Sequence, residues 1–300
     1  MSTQSNKTDR PPIIDYEGSQ YRTDFWEGKG REYEDATERY AIKDLLPSSG
    51  GILMEAGAGF GRLAPLYNSY QKILLVDYSL SLLQEAQQIW GKDKRIMFVA
   101  ASVYDFPFVD GLIDSIVMVR VMHHLHQPSL ALSELARVLK TDGAFIVEYA
   151  NKRNLKAILR YWSRQQDWSP FEYQPYEFVH LNFDFHPTWM TENLLQSGFS
   201  IDKELAISNF RIEAVKRRIP ASTLTQLDAL LAPLNSKLKL SPSVMLRCKK
   251  MVETHNMSGF FRCSICGNTK LLENDVAILC QECGSQWRIV DGIYDFRSTM

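Results

Sequence analysis

The chain has 300 residues, 45% hydrophobic and 23% charged, with 34 Lys and Arg against 35 Asp and Glu for a formal net charge of −1. That length suits one domain of about 200–250 residues plus something smaller. The composition is that of a globular chain able to bury a core, and the balanced charge excludes a protein that binds nucleic acid with its whole surface.

In chain order, Met1 to Pro12 is polar, rich in Ser, Thr, Asn and Gln. It reads as a tail rather than a signal peptide, and residues 1–22 are expected to be disordered or extended. No run approaches the roughly 18 uninterrupted apolar residues that cross a bilayer, so no membrane role is expected and the cytoplasm is the default location. Residues 23–46 read as one or two helices carrying Phe25, Trp26, Tyr33 and Tyr40. Five strand candidates follow, at 51–56, 73–77, 96–100, 116–119 and 144–149, with helix-like segments such as 79–90 and 129–139 between them. Most are nearly continuous in apolar residues, as strands covered on both faces are. Such alternation predicts right-handed crossovers and a doubly wound, mostly parallel sheet. Residues 151–189 read as a long irregular insertion, and strands at 200–207 and 243–248 bring the expected sheet to seven. Cys248 lies on the inward face of the last of these and is most simply a buried core residue. A break at 253–258 sets off a small module over 258–300, and there is no internal repeat.

The central motif is Glu55-Ala56-Gly57-Ala58-Gly59-Phe60-Gly61, directly after the first strand. Glycines let the backbone turn tightly and approach a ligand with no Cβ in the way. A ligand there lies outside the carboxyl ends of the strands. Asp77, twenty positions after Gly57, ends the second strand. A carboxylate at that place accepts hydrogen bonds from both ribose hydroxyls of an adenosine-type ligand. The plainer readings are an ordinary tight turn and a helix cap, although Ser79 is the better cap candidate. Nicotinamide enzymes place the third glycine five positions after the first, whereas here it comes four after, behind an acid.

This pattern resembles the Glu-x-Gly-x-Gly-x-Gly signature of class I S-adenosylmethionine methyltransferases. The resemblance continues through Val76-Asp77-Tyr78-Ser79, Asp105-Phe106-Pro107-Phe108, Asp114, Val121-Met122-His123-His124-Leu125 and the passage from Leu135 to Gly143, which are similar to landmarks of the methyltransferase type 11 group. It covers about residues 30–250 and implies a Rossmann-like fold over 23–252, with 151–189 as a substrate cap. It further implies S-adenosylmethionine as cofactor, held by Glu55, Gly57, Ala58, Gly59 and Gly61 around the amino-acid end and by Asp77 on the ribose. Tyr78 would pack near adenine, Ser102 and Val103 would face its edge, and the backbone at Arg120 would line the methionine arm. Many relatives carry aspartate where this chain has Ser102, whose hydroxyl can still accept.

Methyl transfer from a sulfonium needs alignment and exclusion of water more than it needs acid–base chemistry. A base is required only if the acceptor must lose a proton. His123 and His124 follow the fourth strand and are the candidates for that role, with His126 nearby; the alternative is a plain helix start. No Asn-Pro-Pro-Tyr-like motif for base amines is present. Ten aromatics lie between Tyr161 and Trp189, against 11% for the chain. They read equally as an acceptor pocket or as packing of the insertion. His186-Pro187 reads as a helix start. Basic clusters at Lys152, Arg153, Lys156, Arg160 and Arg164, at Lys216 to Arg218, and at Lys237, Lys239, Lys249 and Lys250 read as solvated faces, while leaving RNA open as the acceptor.

Cys263, Cys266, Cys280 and Cys283 form two Cys-x-x-Cys hooks separated by thirteen residues, each followed by a glycine. Paired hooks suit tetrahedral zinc, and the alternative is a pair of redox disulfides. A module of this size buries little core unaided, so metal would supply its folding energy. The sequence from Trp287 to Ile293 resembles the small zinc-ribbon activator subunit of some translation-related methyltransferases, and the zinc ribbon fused to certain ribosomal RNA guanine methyltransferases. That resemblance implies Zn2+, a C-terminal ribbon and a possible protein partner. The favoured function is methylation of a small molecule. RNA methylation and a non-catalytic cofactor-binding scaffold are the alternatives.

Overall fold

The computed structural model describes residues 11–254 and 257–300. The polar tail over 1–10, and residues 255 and 256 within the expected break, lie outside the described residues. A short π-helical turn (Arg22–Trp26) and helix α1 (Glu32–Leu45) precede the sheet, so the region read as one or two helices is a turn and a helix.

Strands β1 (Gly50–Ala56), β2 (Tyr70–Asp77), β3 (Ile96–Ala100), β4 (Ile113–Met118) and β5 (Leu139–Ala150) form the parallel centre, paired β3-β2-β1-β4-β5. Helices α2 (Leu80–Trp90) and α3 (Pro128–Val138) are crossovers. Ser79 starts α2, its hydroxyl accepting the Leu82 N–H at 3.3 Å. Helix α4 (Leu155–Trp162), the hairpin of β6 (Tyr176–Val179) and β7 (Asn182–Asp184), and α5 (Pro187–Gln196) make up the insertion and its exit. His186 caps α5 through the Thr188 N–H. Strand β8 (Phe199–Ile207), helices α6 (Glu213–Lys216) and α7 (Ala221–Leu238), and strand β9 (Ser243–Lys250) complete this part. Both β8 and β9 run antiparallel to their neighbours.

The expectation of a seven-stranded, mostly parallel sheet is corrected by the C-terminus. Strands β10 (Leu271–Glu273), β11 (Ala277–Cys280), β12 (Gln286–Val290) and β13 (Ile293–Asp295) continue the same sheet, because β13 pairs in parallel with β3. The result is one mixed sheet of eleven strands. An open sheet edge exposes unpaired N–H and C=O groups, and the 258–300 module supplies the partner for the β3 edge. Its side chains reinforce the junction, where Phe260 and Phe261 pack on Phe108. Apolar residues fill both faces of the central strands, and Cys248 is fully buried. No helix among the described residues is long and apolar enough to cross a membrane.

Candidate functional site

The carboxyl ends of β1, β2 and β4 open into a cavity of about 810 Å³, its open mouth included. The loop after β1 forms one wall. Gly57 holds φ at +77°, and a Cβ there would lie 2.1 Å from the Val121 side chain, so only glycine lets the loop pass so close to the segment after β4. Gly57 and Ala58 donate N–H bonds to the Val76 carbonyl at 2.8 and 3.0 Å, and Gly61 closes the turn on the Ala58 carbonyl. Gly57, Gly59 and Asp77 all line the cavity.

Asp77 meets the loop directly. Its carboxylate accepts the Gly59 N–H at 2.7 Å and the Ser79 N–H at 2.9 Å. Burial holds its pKa above the usual carboxylate range, although these N–H donors pull the other way. The acid and the glycine loop are therefore brought to one place, with the acid on the rim of the space between the strands. Tyr78 and Val103 also line the cavity. Ser102 is buried, its hydroxyl accepting the Tyr104 N–H at 3.2 Å in the turn after β3.

Glu55 sits behind the loop, 4% exposed, and one of its oxygens has no hydrogen-bond partner. Burial pushes its carboxyl up to about 8, against the pull of Arg62. Between the ordinary carboxylate pKa and that value the folded chain holds a proton that the unfolded chain has released. Stability from this group is therefore present in acid and is lost as pH rises towards about 8. Glu55→Gln should remove that slope, which is at most about 1.4 kcal/mol per pH unit. Urea midpoints of the two proteins measured from about pH 5 to pH 8 should converge and then cross in favour of the variant; parallel curves would contradict the assignment.

Arg120 also lines the cavity, in left-handed backbone with φ at +60°. Its N–H donates to Glu148 at 3.1 Å, while its guanidinium turns away to Glu38 at 2.7 Å. Glu38 is shared with Arg62, and both guanidinium groups lie over the Trp26 ring. The side chain at 120 thus anchors the N-terminal elements while its backbone faces the cavity.

His124 lines the cavity, and its Nδ1–H donates to the Leu181 carbonyl at 3.2 Å. This fixes the tautomer, so the Tyr16 hydroxyl donates to Nε2 at 3.2 Å. Burial lowers the His124 pKa. His123 stacks beside it at 4.0 Å between ring centres, and burial, with His124, Arg120 and Arg211 nearby, pushes its pKa well down. Both imidazoles are neutral near neutral pH.

The roof is the segment that the sequence read as an extended or disordered tail. Pro12, Ile13, Ile14, Tyr16 and Tyr21 line the cavity. Burial raises the Tyr16 hydroxyl to about 12. The signal that marks this segment is the apolar and aromatic run from Pro11 to Tyr16 inside an otherwise polar stretch.

None of the ten aromatics between Tyr161 and Trp189 lines this cavity. Phe185 is buried and stacks on Trp189, and Trp168 stacks on Tyr176 at 4.6 Å. Packing of the insertion accounts for these, whereas Tyr161, Trp162, Phe171, Tyr173 and Phe178 are exposed. Many of the basic side chains are likewise engaged inside the protein. Lys152 is buried and donates to the carbonyls of Glu172 and Gln174, and Lys250 is buried against the Leu139 carbonyl. Lys216 pairs with Glu34, Lys239 with Glu204, and Arg153 donates to the Leu238 carbonyl.

At the other end of the sheet, the sulfurs of Cys263, Cys266, Cys280 and Cys283 all lie within 4.8 Å of one another. Cys263 to Cys283 and Cys266 to Cys280 are each 3.6 Å apart, far beyond a bonded pair. Four thiolates about 2.3 Å from a tetrahedral zinc stand about 3.8 Å from each other, so the spacing fits that ion. The N–H groups of Ile265 and Cys266 point at the Cys263 sulfur, as a knuckle turn requires. The module also reaches the first cavity. Arg297 donates to the Tyr78 carbonyl and to Glu17, both at 3.2 Å, and the Phe296 N–H bonds the end of β3 at Ala100.

Residues 54–147 match the methyltransferase domain family. That span runs from β1 through β5 and includes the glycine loop, Asp77 and both candidate histidines. An uncharacterized chloroplastic methyltransferase of Arabidopsis thaliana is 26% identical over 149 residues, 46% of this chain and 41% of that protein. A demethylmenaquinone methyltransferase of Clavibacter sepedonicus is 29% identical over 104 residues, 34% of this chain and 42% of that protein. The chain thus spans about two fifths of the length of these relatives. Among solved structures, the complex between the Haloferax volcanii Trm112 methyltransferase activator and a putative methyltransferase gives a TM-score of 0.52 at 17% identity, covering 79% of this chain and 98% of that chain. The fold is the Rossmann-like α/β fold of the methyltransferases, extended by four strands.

Proposed function

We propose that the chain transfers a methyl group from S-adenosylmethionine to a small-molecule acceptor, with a C-terminal zinc ribbon bracing the cofactor site. The observation that carries this reading is the convergence of the Gly57 to Gly61 loop and Asp77 on one cavity at the carboxyl ends of parallel strands. S-adenosylmethionine, when bound, supplies an electrophilic methyl carbon on a sulfonium. Asp77 holds the ribose hydroxyls, Tyr78 and Val103 flank the adenine, and the backbone at Gly57 and Arg120 borders the amino-acid end. The roof of Ile13, Ile14 and Tyr16 excludes water, which favours alignment over hydrolysis.

A small acceptor is supported by the covered cavity and by the internal use of the basic side chains, which leaves fewer of them for a phosphate backbone. The demethylmenaquinone relative acts on a molecule of that size class by its name. The zinc assignment rests on the all-thiol donor set, and the bracing role on the pairing of β13 with β3 and the Arg297 bond to the Tyr78 carbonyl.

Of the two histidines, His124 is the proton acceptor when one is needed, because it lines the cavity with a free-base nitrogen towards Tyr16. His124→Gln should lower turnover by about 100-fold, the ordinary worth of a positioned base, with S-adenosylhomocysteine affinity retained. His123→Gln should cost much less. Equal losses in both variants would contradict the distinction. The overall reading is tested by incubating the zinc-loaded chain with methyl-labelled cofactor and cell extract. Label in the small-molecule fraction is expected; label confined to RNA or protein, or none at all, would overturn it.

A further inference from the structure

A second cavity, polar and of about 570 Å³ with its mouth included, lies on the far side of Arg120. Lys29, Arg31, Arg120, Arg211 and Lys216 line it against only Glu34 and Glu213. The two acids are committed: Lys216 bonds Glu34 at 3.0 Å and lies 3.7 Å from Glu213. Arg120 is committed to Glu38. Arg211 is different. Its Nε is buried with no hydrogen-bond partner, and no ion pair to it is found among the described residues.

The position of Arg211 is set with care. It follows β8 on a loop whose Ser208 and Asn209 N–H groups bond Asp228 at 2.6 and 3.2 Å, while the Phe210 N–H bonds the Tyr33 hydroxyl at 3.1 Å. Glu148, Glu38, Glu34 and Asp184 lie near enough to act on Arg211 through charge, but among the described residues none of them bonds it: Glu148 takes the Arg120 N–H and the Ser243 hydroxyl, and Glu38 takes two arginines. Burial lowers the Arg211 pKa, with Arg120 adding to the effect. A buried guanidinium nitrogen left without a hydrogen-bond partner is costly, and a bound oxyanion would supply that partner. Its planar fork matches a carboxylate or a phosphate.

We propose that this cavity binds the oxyanion of the methyl acceptor, with Arg211 as its principal contact and Lys29 and Arg31 at the rim. The inference rests on the methyltransferase reading. Arg120 belongs to both cavities, so an acceptor spanning them places its anionic end on Arg211 and its nucleophile beside the methyl site. The acceptor is then a small molecule bearing a carboxylate or a phosphate monoester.

The test uses the full zinc-loaded chain, titrated separately with inorganic phosphate, acetate and chloride at matched ionic strength, read by calorimetry and thermal midpoint. Saturable binding of phosphate or acetate above chloride is expected, weakened about tenfold or more in Arg211→Met and by a smaller factor in Lys29→Gln. Preference for phosphate assigns a phosphorylated acceptor, and preference for acetate a carboxylated one. The Arg211→Met midpoint without anion is read in the same samples, so that a loss of folding is told apart from a loss of binding. Anion effects equal to chloride, or unchanged in both variants, overturn the proposal; if Arg211→Met does not fold, the exposed Lys29→Gln decides alone. S-adenosylhomocysteine titrated into the same samples separates the two readings: failure to bind in the parent rejects the methyltransferase assignment, whereas normal binding in parent and variants with no anion site rejects only this one.

Discussion

Asp77→Ala lowers affinity for S-adenosylhomocysteine by about 100-fold or more. A carboxylate that accepts from two ribose hydroxyls makes two hydrogen bonds to a charged group, each worth about 1.5–3 kcal/mol. Losing both costs at least about 3 kcal/mol, and each 1.4 kcal/mol is tenfold. The same oxygens receive the Gly59 and Ser79 N–H groups, so the variant also loses stability by about 1–3 kcal/mol for unsatisfied donors. Calorimetry well below the unfolding temperature separates the two effects. Asp77→Asn keeps one acceptor oxygen and should lose less affinity than alanine. An affinity in Asp77→Ala within a few-fold of the parent would place the ribose elsewhere.

If the four thiols hold zinc as proposed, removing the metal, or replacing Cys280 with serine, is expected to unfold the C-terminal module and loosen the proposed cofactor site with it. Structural zinc contributes on the order of 10 kcal/mol to the folding of such modules, more than 40 residues hold in reserve. The loss does not stay local, because β13 is the edge partner of β3 and Arg297 ties the Tyr78 carbonyl to Glu17 beneath the roof. The ring cluster around Phe108, Phe261 and Phe296 would also face water. We expect one zinc per chain by elemental analysis. Chelation should speed amide exchange across β11 to β13 and at β3, and weaken S-adenosylhomocysteine by about tenfold or more. Unchanged exchange at β3 and unchanged affinity would show that the module folds and acts independently of the sheet.

The sequence made the centre of the molecule legible because parallel strands covered on both faces write continuous apolar runs, and because a glycine loop followed by Asp77 obeys a fixed spacing. The cysteine hooks were legible for the same reason, a tight geometric need for particular residues. What lay outside was long-range pairing. Nothing in the run Gln286 to Asp295 says that its last strand docks on β3, since edge pairing depends on a free edge elsewhere in the chain, so the eleven-stranded sheet was read as seven plus a separate ribbon. The roof was missed because Ile13, Ile14 and Tyr16 gain their burial from the cavity rather than from local periodicity. The ten aromatics of the insertion were ambiguous because a pocket and a packed loop need the same side chains. Arg211 gave no signal at all: a single arginine near Lys216 and Arg217 reads as surface charge until its Nε is found buried without a hydrogen-bond partner.

The central claim is that the loop from Glu55 to Gly61 and the carboxylate of Asp77 form one adenosyl site. Its most direct measurement is calorimetric titration of the zinc-loaded chain with S-adenosylhomocysteine and, in parallel, with NAD. Saturable binding of the first at one site per chain, with no heat from the second, is the predicted result. Absence of S-adenosylhomocysteine binding, or an NAD isotherm that the other ligand does not compete with, would contradict it.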